Sequence, residues 1–80
     1  MTMLEEMRKE VKRLRLEEAF AWEKCVNAQS LLRMVIDTTH SDYDFMSALA
    51  EVVNAHMEYK DVHKAYDTVG DEYFKMLEAL

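Results

Sequence analysis

From residue 3 to residue 36 nothing interrupts a helix. The stretch holds neither proline nor glycine, and it repeats a small or apolar residue at alternating spacings of three and four. Leu4, Met7, Val11, Leu14, Ala21, Cys25, Ala28, Leu32 and Val35 fall on that seam, and Glu18 is its one misfit. Alternating three-four spacing is the heptad pattern by which one helix packs along another. Thr2 followed by Glu5 has capping-box spacing, so the helix is expected to begin at residue 3. At 1.5 Å per residue the rod would be roughly 50 Å long, a length that suits a coiled coil or a long hairpin.

From residue 16 onward the apolar pattern widens beyond one seam. Leu16 and Phe20 lie on one flank, Trp22 and Ile36 on another, and Leu31 and Met34 elsewhere. Ala21, Cys25 and Ala28 keep the seam itself narrow, which lets a second helix approach closely. A helix that is apolar nearly all round is a buried helix, and a two-helix hairpin covers only one of its sides. The sequence therefore predicts self-association around this helix, with Leu14, Phe20, Ala21, Trp22, Cys25, Ala28, Leu31, Leu32 and Val35 as the interface.

The rest of the chain is also expected to be helical. The 80 residues contain no proline and a single glycine, Gly70, where average usage would give roughly four and five or six. The tight turns of a small sheet protein need those residues. Residues 37–44 form the one plausible connection, with Ser41 and Asp44 at N-cap spacing. A short connection makes the two long helices antiparallel neighbours. The second helix is expected over residues 42–67, with Phe45, Leu49, Val52, His56, Tyr59, His63 and Tyr66 on its core stripe. Gly70 reads as a left-handed helix stop, followed by a short third helix over residues 71–79. The fold class is thus all-α: one domain, residues 1–80, a long coiled-coil-like hairpin plus a short C-terminal helix, assembled as a helical-bundle oligomer.

Charge is unevenly distributed. The net charge is −6, made of +1 over residues 1–36 and −7 over residues 37–80. A nucleic-acid backbone is bound by Lys and Arg that neutralise phosphates, so so acidic a chain is not expected to bind it broadly. The local exception is the basic strip Arg8, Lys9, Lys12, Arg13 and Arg15, a possible anion-binding site into which Glu5, Glu6, Glu10 and Glu17 interleave. If residues 3–15 pair with their own copy, a parallel arrangement sets Glu10 against the second copy's Arg15, and an antiparallel one sets like charges together. The alternative is that this arm packs on its own second helix.

Few residues suggest chemistry. His56 and His63 share a face but lie seven residues apart, roughly 10 Å along a helix axis, too far to chelate one metal ion from a single helix. They read as core-edge histidines hydrogen-bonded to a neighbour, or as a pH-sensitive pair. Asp37, His40, Asp42 and Asp44 lack the spacing of an EF-hand and read as capping and loop residues. Cys25 is alone, so no internal disulfide is possible, and it reads as an inert seam thiol. Phosphate-cradling loops need several glycines. No cofactor, no metal and no enzymatic activity are expected.

The reading that results is a small acidic protein–protein interaction module. It acts as a homo-oligomeric adaptor, regulator or inhibitor, with itself as one partner and a protein bearing a basic or apolar surface as another. Its small, proline-free form would suit a phage-encoded accessory protein. The alternative is a helical-hairpin nucleic-acid binder using the basic strip, and a small-molecule or metal site between subunits comes third. Without an apolar leader or an apolar run of membrane-spanning length, the expected location is cytoplasmic.

Overall fold

The computed structural model describes residues 2–38 and 41–80. Two helices account for nearly all of them: α1, Met3–Asp37, and α2, Asp42–Glu78. Both begin where the sequence signals placed them. Thr2 accepts a hydrogen bond from the Glu5 amide at 3.2 Å, and Ser41 accepts one from the Asp44 amide at 3.2 Å. Each cap satisfies one of the four amides that a helix start leaves without a partner. At the end of α1 the Thr38 hydroxyl donates to the Met34 carbonyl at 2.7 Å.

The helices run antiparallel along a rod of 60 × 16 × 14 Å. Side-chain pairs across the hairpin fix the direction: Glu18 meets His63, Lys24 meets Glu58 and Gln29 meets His56. As residue numbers rise on α1, they fall on α2. The α1 seam faces inward as its spacing predicts. Leu14, Ala21 and Cys25 are buried, and Leu4, Met7, Val11, Glu18, Ala28, Leu32 and Val35 are half-buried. The arm over residues 3–15 therefore packs on its own second helix.

On α2 the inward stripe is rotated from the expected one. Its inward positions are Ala48, Val52, Ala55, Tyr59, Val62, Tyr66, Val69, Tyr73 and Met76, an unbroken alternation of four and three. Phe45 and His63, expected on the core stripe, are exposed, and Leu49 and His56 sit half-buried at the edge. The physical reason is close approach. Small residues on both helices, Ala28 against Ala55 and Ala48 beside Val35, let the backbones come together, whereas a stripe centred on Leu49 and His56 would hold them apart.

The same stripe corrects the expected helix stop. Gly70 has no positive φ and lies inside α2, which continues to Glu78 as one helix of 37 residues. There is no separate third helix among the described residues. Glycine in a helix interior costs about 1 kcal/mol relative to alanine. Val69, Tyr73 and Met76 stay in phase with the seam and offset that cost by packing along α1. A Cβ built on Gly70 would meet nothing within 4 Å. Gly70→Ala should therefore stabilise the protein by about 0.4–1 kcal/mol, read as a higher urea midpoint. A left-handed glycine would give the opposite sign, a loss of about 1 kcal/mol.

Candidate functional site

A two-helix hairpin has two flanks, and here they differ in chemistry. The heptad positions next to the seam on one side of α1 carry Arg8, Arg15, Trp22, Gln29 and Ile36. They meet the corresponding side of α2, where Leu49, His56 and His63 lie. We call this the histidine flank. Its outer rows add Lys12, Ala19, Val26 and Arg33 from α1 and Met46, Val53, Lys60 and Phe74 from α2. The opposite, acidic flank carries Glu6, Glu10, Glu17, Asp44, Glu51, Glu58, Asp61 and Glu72 against three cations, Arg13, Lys24 and Lys75. The histidine flank carries five cations against Glu5, Asp42 and Asp67. The net charges are −5 on the acidic flank and +2 on the other.

An aromatic and ionic cluster crosses the histidine flank. Trp22 packs tilted on Tyr59 with ring centroids 5.3 Å apart, and Tyr59 stacks on His63 at 5.6 Å and 20°. His63 Nδ1 lies 2.8 Å from Glu18, and its Nε2 lies 3.3 Å from Asp67. Two carboxylates facing two ring nitrogens are an arrangement that only the imidazolium satisfies fully. The hydrogen bond to Glu18, and next the charge of Asp67, raise the His63 pKa above its ordinary value. Glu18, the misfit of the seam, is thereby explained. A half-buried carboxylate needs a partner, and the partner arrives from α2. Two turns further along α2 toward the connection, the Gln29 amide donates to His56 Nε2 at 3.0 Å. A shallow cleft of about 320 Å³ opens between Arg15, Glu18, Ala19, Trp22 and Tyr59.

The other candidate residues are placed as follows. Six of the nine residues expected at a self-association interface, Leu14, Ala21, Cys25, Ala28, Leu32 and Val35, are occupied by the seam with α2. Phe20, Trp22 and Leu31 remain exposed, and they do not share a face: Trp22 is on the histidine flank, Phe20 and Leu31 on the acidic one. The basic strip is divided as well. Arg13 forms a fork to Glu10 and Glu17 on its own helix, and the hydrogen bond from Arg13 holds the Glu10 carboxyl below its usual range. Glu10 therefore has a partner within α1. Arg8, Lys12 and Arg15 line up on the histidine flank, all exposed. Lys9 is also exposed, on the outward side of α1. His40 lies outside the described residues. Among the described residues, no group of three or more His, Cys, Asp or Glu side chains is placed to hold a metal ion. No helix among them is long and apolar enough to cross a membrane.

Sequence reasoning missed Glu18 and Asp67 as the partners of His63. Both signals were present: a carboxylate in an apolar seam requires a counter-charge, and Asp67 stands four residues after His63, one helical turn away. No family model, no curated protein and no solved structure matches the chain.

The cluster has a pH signature. Because the folded pKa of His63 is raised, its pairing stabilises the fold fully below the unfolded value of about 6.5. That contribution is lost as pH rises through the folded value. His63→Gln should therefore lower the melting temperature at pH 5.5 and have progressively less effect toward pH 8. Equal effects at both pH values would contradict the pairing.

Proposed function

We propose that this protein is a self-associating protein–protein interaction module with no chemistry of its own, offering an acidic surface to a basic partner. The observation that supports this most directly is unburied apolar surface. The chain exposes 6431 Å², whereas a compact monomer of its 9.5 kDa mass would expose about 5,000 Å². Its fully buried core is Leu14, Ala21, Cys25 and Ala48, three of them small side chains. Meanwhile Phe20, Met34 and Ile36 are each more than 60 % exposed. A second polypeptide surface would cover such side chains. The acidic flank, with its eight carboxylates, suits a basic patch on another protein, including one that binds nucleic acid.

Direct nucleic-acid binding is the second reading, favoured by Arg8, Lys12 and Arg15 standing on one flank without a carboxylate partner among the described residues. Two features oppose it. The fork to Glu10 and Glu17 neutralises Arg13, and the net charge of −6 repels phosphate. Light scattering at micromolar concentration should give at least twice the 9.5 kDa chain mass, and mobility shifts with RNA and DNA near physiological salt should show no complex. A monomer would overturn the first reading. A complex that salt dissolves, and that replacing Arg8, Lys12 and Arg15 with Gln abolishes, would install the second.

A further inference from the structure

We infer that the histidine flank is the surface on which a second copy of this chain docks, leaving the acidic flank facing outward for other partners. The inference rests on the self-association proposed above and names its surface. The hairpin exposes about 1,400 Å² more than a compact chain of its mass, and a stable interface needs about 800 Å² from each partner. The surplus is therefore large enough for one such interface.

Apolar character and charge decide which flank supplies it. Trp22, Val26, Ile36, Met46 and Val53 are 43–61 % exposed, and with half-buried Leu49 they occupy the loop-proximal half of the histidine flank. Between them, the Gln29 amide and the His56 ring bond each other at 3.0 Å. That bond removes part of the cost of covering them, and the Gln29 carbonyl and His56 Nδ1 lie at the rim, where water or the second copy can reach them. On the acidic flank, Phe20, Leu31 and Met34 are exposed too, but joining two acidic flanks would bring eight carboxylates from each copy together. Like charges desolvated across an interface cost several kcal/mol. Joining two histidine flanks carries a net charge of only +2 each. The product is a four-helix bundle, the arrangement that long apolar helices ordinarily reach. Head-to-tail docking of a histidine flank on an acidic flank would also pair opposite charges, but such a heterologous contact builds rings or open chains of more than two copies rather than a two-fold dimer.

The test uses the full chain in two ways. First, Val26→Glu and Val53→Glu, separately and together, should reduce the light-scattering mass from twice 9.5 kDa to that of one chain with helical circular dichroism retained. Phe20→Glu and Met34→Glu should leave the dimer mass unchanged. Second, Trp22 is the only tryptophan and lies on the proposed interface, so emission of the unmodified protein should move to longer wavelength on dilution to monomer. A wild-type dimer that the Phe20 and Met34 variants dissociate, with Trp22 emission unmoved on dilution, would overturn the assigned surface while leaving self-association in place. A mass that grows beyond two chains with concentration would overturn it in favour of head-to-tail docking. A wild-type monomer at every concentration would overturn both.

Discussion

Everything else in this molecule depends on how closely two helix backbones approach along a seam of small side chains. Ala21 and Cys25 on α1 and Ala48 on α2 are buried, and Ala28 and Ala55 are half-buried beside them. Helix axes packed on large side chains lie near the upper end of the usual 8–10 Å range, and small residues bring them toward the lower end. Close approach sets the phase of α2. With Ala48, Ala55 and Val62 turned inward, His56 and His63 move to the rim, where they meet Gln29 and Glu18. The same narrow seam limits the apolar area that the hairpin can bury by itself. A narrow core and a broad apolar exterior are two results of one choice of residues.

How much of this was legible in the sequence varied with the length of the repeat. The nine seam residues of α1 give over four heptads of consistent phase, and the structure turns all of them inward. Both N-caps were equally plain, because a Thr or Ser three residues before an acidic residue at a helix start acts through local geometry alone. On α2 the spacing centred the stripe on Leu49, His56 and His63, with the equally periodic row Ala48, Ala55 and Val62 beside it. Hydrophobicity favours neither strongly, and only the facing helix selects the alanine stripe. Gly70 was read as punctuation because glycine usually is. The seam phase through Tyr66, Val69, Tyr73 and Met76 was the contrary signal, and extended packing outweighs a single glycine's cost of about 1 kcal/mol.

The histidines show why burial patterns alone misplace titratable groups. A histidine on a core stripe would have its pKa lowered by desolvation. Rotated to the rim, His63 instead finds two carboxylates, and its pKa moves the other way. Glu18, the seam's misfit, and His63, the stripe's polar member, resolve each other once the helices are placed in register. The interface residues divide in a similar manner. Periodicity identified apolar positions on α1 but not which of them its own second helix would occupy. Only the three-dimensional pairing leaves Trp22 and Val26 on one flank, and Phe20 and Leu31 on the other.

In the proposed assembly the hairpin's seam is filled from within and its histidine flank by a second copy. Folding would then be coupled to association, and stability would depend on protein concentration by mass action. The most direct test is the melting temperature of the unmodified chain over a hundredfold range of concentration at fixed pH and salt. The account predicts a melting temperature that rises steadily across that range. A melting temperature independent of concentration would contradict it.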